Sequence, residues 1–221
     1  MGVGHAAVAL GAAKAAPRMN VGWLVFAALL ADFLLGIFTV AGLEQVNVPA
    51  DYSSRHYLIF VFPYSHGLLS LLLWGAAFGL LVSLVHGMQR SRVFLIVVAL
   101  VLSHFLLDGL VHVVGLPLVG EHSPRFGLAL WKHLPLELAL ETAMAVVGVA
   151  LYLRLAGASP AWTRSGIIIL MVLLTALTWG QLFANTAPAL SQLSASWIML
   201  PLLLSGAIYV LDRKRIVCEA A

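Results

Sequence analysis

The sequence predicts an all-α, polytopic membrane protein. Of its 221 residues, 62% are hydrophobic and only 10% are charged, a balance that soluble globules do not show. Its apolar runs reach the roughly 20 residues that a helix needs to cross a bilayer. Within those runs the apolar residues are continuous rather than alternating, so membrane-spanning strands are not expected.

Six spans are predicted, at about Val21–Leu43, Tyr64–His86, Val93–Val114, Leu134–Arg154, Ser165–Asn185 and Ser194–Leu211. The connections are short except around Glu44–Pro63 and Gly115–Lys132. A single integral membrane domain over 1–221 follows. Within it, 1–18 forms an N-terminal re-entrant or interfacial helix, 19–154 the site-bearing spans and 155–221 two supporting spans. No small-xxx-small stripe names an oligomer face.

Charge placement gives an expected orientation. Lys14, Arg18, Arg90, Arg92, Arg154, Arg164, Arg213, Lys214 and Arg215 would share one side, and Arg55, Arg125 and Lys132 the other. The richer side is expected to be cytoplasmic, so both long connections face outward. Basic residues follow the first apolar stretch rather than precede it, which is not the order of a signal peptide. The single cysteine, Cys218, excludes an intrachain disulfide, a CxxC centre and a thiolate-rich metal site.

The N-terminal stretch 2–16 is apolar but too short to span. It is expected to dip into the bilayer with its N-terminus among the spans. At 1.5 Å per residue, His5 then lies roughly 20 Å above Arg18, and Asp32 roughly 16 Å above Val21. The two would meet near mid-membrane; a solvated His5 on an interfacial helix is the alternative.

Two stripes carry the chemistry. They are His104-x3-Asp108-x3-His112 and His133-x3-Glu137-x3-Glu141. Spacing by four puts each set on one helix face. Ionisable groups inside a membrane are costly and mark interior pairs, ion sites or pathways. Helical rise places the groups between the midplane and the outer surface, at roughly 16–28 Å for the first stripe and 20–31 Å for the second. His66 sits near the outer end of the second span. One polar cavity opening outward is expected.

His, Asp and Glu without Cys suit zinc, with manganese or iron as alternatives. Eight candidate ligands, His5, Asp32, His66, His104, Asp108, His112, His133 and Glu137, exceed what one closed zinc site needs. That surplus suits two or more ions that activate water and hold a phosphoryl oxygen. Asp32 or Glu141 could accept a proton, with Glu141 otherwise supporting a ligand from behind. Arg55, Arg125 and Lys132 could draw a phosphate headgroup, or serve only as headgroup anchors. His104 and Asp108 could instead be a structural pair, and His133 a solvated residue at a helix start. His56 and His86 read as interfacial, and His122 as a solvated loop residue. Trp23, Trp131 and Trp197 read as interface anchors. Gln181 and Asn185 could line the cavity. No HExxH, GxSxG or phosphate-binding glycine loop is present.

His5, Asp32, Tyr64-Ser65-His66, Ser103-His104-x3-Asp108 and His112 together resemble the YdjM-type inner-membrane metal-dependent hydrolases. The order is also similar to the helical zinc-dependent phospholipase C and P1-nuclease superfamily. The resemblance covers roughly residues 1–141. It implies that the eight residues bind a zinc cluster that cleaves phosphoesters, with His122 competing with His112 for one position. It also implies a lipid or lipid-phosphate substrate in a bacterial-type inner membrane, and no nucleic-acid partner. A divalent-cation or proton transporter could use the same cluster. A diiron carboxylate site would use Glu-x-x-His spacing instead.

Overall fold

The computed structural model describes residues 2–85, 90–113, 115–156 and 159–220, with side chains through Arg215. His86 therefore lies outside the described residues. The helices are α1 (Gly2–Ala12), α2 (Val21–Ala28), α3 (Leu30–Val40), the single turn α4 (Tyr52–Arg55), α5 (Leu68–Leu84), α6 (Arg90–Val111), α7 (Leu134–Leu155), α8 (Ala161–Trp179) and α9 (Leu190–Ala220). Two small antiparallel ribbons lie in the two long connections. They pair β1 (Gln45–Asn47) with β2 (Ile59–Val61), and β3 (Leu116–Pro117) with β4 (Arg125–Phe126).

Among the described residues four helices are long and apolar enough to cross a membrane, or five if the bent pair α2–α3 is one span. The six expected spans are thus not all present by length. α5 has only 17 residues, which rise roughly 25 Å. The expected first span is broken at Leu29, and its halves meet at 51°. Leu29 leaves helical geometry, with φ −104° and ψ 7°. The outward faces stay apolar, with Leu73, Leu81, Val146, Val172, Leu177 and Leu203 exposed. The interior holds His5, His66, His104, Asp108, Glu137, Glu141, Asp212 and Arg215. Apolar outside and polar inside is the arrangement that hydrocarbon surroundings favour.

α1 is the central helix, packed by α7, α2, α6 and α8. His5 is fully buried, so α1 is not a solvated interfacial helix. Small residues let the neighbours close on it. A Cβ on Gly148 of α7 would overlap the Ala7 carbonyl oxygen and lie 2.8 Å from Ala7 Cα. At the α1 N-terminus, where helical N–H groups lack partners, the Gly4 amide donates to Glu141 Oε2 at 2.9 Å. α2 starts at Asn20, whose side-chain oxygen accepts from the Gly22 amide.

The other end of the bundle is held by a polar knot that sequence reading assigned to surface charge. Arg215 is buried, not a free cytoplasmic cation. Its Nε and Nη2 donate to Asp212 at 2.6 and 3.0 Å, one turn back on α9. It also donates to the Pro17 and Met19 carbonyls. Asp212 in turn accepts from the Val21 amide and the Tyr152 hydroxyl. The knot ties α9, α7 and the α1–α2 turn together.

Filling the α1–α7 crossing should displace α1. Gly148→Ala is expected to lower stability by roughly 1–3 kcal/mol, the usual cost of overpacking. Thermal unfolding in detergent measures this; an unchanged Tm would mean that the helices are not in backbone contact.

Candidate metal centre

The α6 stripe forms as the spacing requires. His104, Asp108 and His112 step up one face and are all buried. Asp108 is the hub. Its Oδ1 lies 3.1 Å from His5 Nε2 on α1. Its Oδ2 lies 3.2 Å from His112 Nε2, 3.4 Å from His104 Nε2 and 3.6 Å from His66 Nε2. Asp32, two residues into the broken helix, places Oδ1 3.9 Å from both His66 Nε2 and His104 Nε2. The His5 and His104 rings stack at 3.7 Å with planes 7° apart. His5, His104 and Asp108 form one potential ion-holding group, and Asp32, His66 and His104 another, with His104 shared. His5 and Asp32 thus enter one cluster, joined through His104.

The proton positions on two histidines follow from their outer partners. His104 Nδ1 lies 2.8 Å from the Ala28 carbonyl, beside the break at Leu29. A carbonyl only accepts, so Nδ1 carries the proton and Nε2 of the neutral ring is bare. His66 Nδ1 lies 2.7 Å from Ser65 Oγ. That hydroxyl gives its only proton to Glu44 Oε2 at 2.6 Å, so it accepts from His66 Nδ1. His66 Nε2 is bare too. These two nitrogens point at each other at 3.2 Å. Facing lone pairs need a cation between them, either a metal ion or an additional proton. His5 Nδ1 is also buried with no hydrogen-bond partner among the described residues. The donor set therefore fits a metal.

Glu137 and Glu141 are buried one turn apart on α7. Pro135 in the first turn of that helix suits a helix start. Both acids face a cavity of about 260 Å³ together with Asp32, His66, Asp108, His112 and Gln181. His133 does not join them. It is exposed on the 3-10 turn Leu130–His133 before α7, so the helical register that the four-residue spacing assumes does not reach it. His122 is exposed in the loop between β3 and β4, and His112 is the histidine at the cluster. Asn185 is exposed and lies outside the lining, whereas Gln181 belongs to it.

Trp131 and Trp197 line this cavity as well, and so are not simply interface anchors. Trp131 packs on His112 with ring centres 4.0 Å apart. Phe60 on β2 and Phe62 just after it also wall His112, at 5.5 and 5.3 Å. A second hollow of about 140 Å³ lies beyond this wall, lined by His112, Arg55 and Arg125 among others. Two of the three cations expected on the outer side thus flank the centre. Arg55 is paired with Asp51 at 2.5 Å. Lys132 is exposed and lines neither space.

Glu44 is the main residue that sequence reading missed. It opens a long connection with no local pattern to single it out. It is buried, and its Oε1 accepts from the Tyr64 and Ser65 amides at 2.8 Å each. Burial pushes its carboxyl above the ordinary carboxylate range, and the bonds from Ser65 and Tyr64 oppose that shift.

No family model matches the chain, and neither does any curated protein or solved structure among those compared.

Substitution should separate the two loop-side histidines. His112→Ala is expected to weaken zinc binding at least tenfold, and His122→Ala to leave it unchanged. Titration against a chromophoric chelator measures both; equal effects would remove His112 from the centre.

Proposed function

We propose that this chain is a membrane-embedded, metal-dependent hydrolase that cleaves a phosphoester or related bond of a lipid. The observation that carries the reading is the pair of bare Nε2 atoms on His66 and His104, converging beside Asp108 in an apolar bundle. The motif order shared with the YdjM-type hydrolases and the phospholipase C superfamily supports the same reading. His5, Asp32, His66, His104, Asp108 and His112 would hold the ions, zinc first and two or three in number, with Glu137 facing them across the cavity. Zinc at such a site supplies Lewis acidity and a water nucleophile at neutral pH.

The chain's own groups divide the remaining work. Asp32 is the most open carboxylate of the cluster, its side chain 24% exposed, and is the proton acceptor in this reading. Glu141 holds the N-terminus of α1, and so keeps His5 in place. Arg55 and Arg125 would receive an anionic headgroup on the far side of His112. We further infer a bacterial-type inner membrane with the site opening outward. Without Arg215, eight cations remain on the proposed cytoplasmic side against three on the other.

A second reading has its own support, because a proton would also satisfy the facing histidines. The cluster would then be part of a cation or proton path. The buried face of α6 below His104 is Val93, Val97, Leu100 and Val101, which offers such a path no ionisable step.

Elemental mass spectrometry on detergent-purified protein tests the hydrolase. Two or more zinc, manganese or iron equivalents are expected, and Asp108→Ala should lose them. A protein that is metal-free and refuses added metal would overturn the reading. Metal or proton flux into liposomes, lost in Asp32→Ala, would replace it with transport.

A further inference from the structure

Glu44 stands outside the ion-holding groups, yet it fixes what one of them can do. Its two oxygens have different work. Oε1 accepts from two backbone amides, Tyr64 and Ser65. Oε2 accepts from the Ser65 hydroxyl. Ser65 Oγ then meets His66 Nδ1 at 2.7 Å, and His66 Nε2 reaches the cluster. Each link has one proton, and the chain's polarity is set at the carboxylate end. A carboxylate there makes Ser65 a donor toward Glu44 and an acceptor toward His66. His66 keeps its proton on Nδ1.

From this geometry we infer that Glu44 is a positioning residue which, through Ser65, holds His66 in the one tautomer that can bind a cation through Nε2. Partners of this kind, behind a liganding histidine, orient the ring and fix its tautomer. Here the carboxylate acts at one remove, across a serine. The inference rests on the metal-site reading only for its binding consequence; the tautomer itself stands apart from it.

The chain of bonds makes a specific and unintuitive order of effects. In Glu44→Gln the two backbone amides still need an acceptor, so the amide oxygen takes the Oε1 place. The NH2 group takes the Oε2 place and donates to Ser65 Oγ. Ser65 then turns its own proton to His66 Nδ1. The imidazole proton moves to Nε2, and the lone pair facing the cluster is lost. Ser65→Ala cuts the chain but reverses nothing, since His66 can keep Nδ1–H. The nearly isosteric change should therefore be the more harmful one.

The experiment uses full-length protein in detergent at mildly alkaline pH, which keeps Glu44 ionised, with Zn²⁺ alone as the probe. Chelator competition gives affinity, and ¹⁵N NMR of labelled histidine in the metal-free protein gives the His66 tautomer. The resonance is assigned by its loss in His66→Gln. Wild type is expected to show Nδ1–H at His66, and Glu44→Gln to show Nε2–H. Zinc affinity should fall about 10–100-fold in Glu44→Gln, the range for partners behind a ligand, and less in Ser65→Ala. Circular dichroism and Tm of Glu44→Gln should match wild type, because its backbone bonds are kept.

A purely structural Glu44 predicts otherwise: affinity unchanged in Glu44→Gln, or lost only in step with Tm. Either result would overturn the inference, and so would a neutral His66 in wild type with its proton on Nε2 and Nδ1 bare. Should wild type bind no zinc, the hydrolase reading fails by itself, and the NMR comparison still decides whether Glu44 sets the tautomer.

Discussion

A carboxylate buried in an apolar bundle must be surrounded by groups that compensate it, and Asp108 is that carboxylate here. Four histidines from α1, the turn before α5 and the α6 stripe close on its two oxygens. α1 brings His5, the turn before α5 brings His66, and α6 with the residue just past its end brings His104 and His112. Much of the architecture serves this convergence. α1 cannot reach Asp108 unless α7 admits it at Gly148 and Glu141 receives the Gly4 amide. α2 and α3 cannot form one straight span, because the break at Leu29 turns a backbone carbonyl to His104 and sets Asp32 beside the cluster.

The buried polar groups fall into two centres with opposite logic. At the Asp212–Arg215 knot every group has a complement: cation to carboxylate, guanidinium to carbonyls, amide and phenol to carboxylate. Such a closed network fixes chain geometry and offers a ligand nothing. At the His–Asp cluster the outer nitrogens of His66 and His104 are satisfied, while their inner nitrogens face each other bare. That asymmetry distinguishes the cluster from the closed knot and is what the metal-site proposal rests on. It also places the outer partners, a broken-helix carbonyl and a serine backed by Glu44, among the determinants of whatever the cluster binds.

The surroundings give the cluster direction. α7 contributes carboxylates on one side of the cavity, and the aromatic wall of Phe60, Phe62 and Trp131 closes around His112. The two long connections, with their ribbons, carry both that wall and the arginines beyond it. Their strand pairing is local, two or three residues long, and confined to segments outside the long apolar helices.

The helical, membrane-suited class, the α6 stripe and most of the residues that meet at it were legible in the sequence. Those depend on local rules: apolar run length, and a four-residue step that must put His104, Asp108 and His112 on one face once a helix forms. The same rule failed at His133, because the helix begins one residue too late to carry it. Features that depend on distant partners emerged from the fold alone. Arg215 looks like a surface cation until Asp212 and two carbonyls bury it. Trp131 looks like a boundary residue until His112 packs on it. Glu44 has no pattern at all; it is 21 residues from Ser65, and only the folded connection brings the carboxylate to that hydroxyl. Which nitrogen of a histidine is free is likewise not encoded locally. It is set by whatever group the fold brings to the other side of the ring.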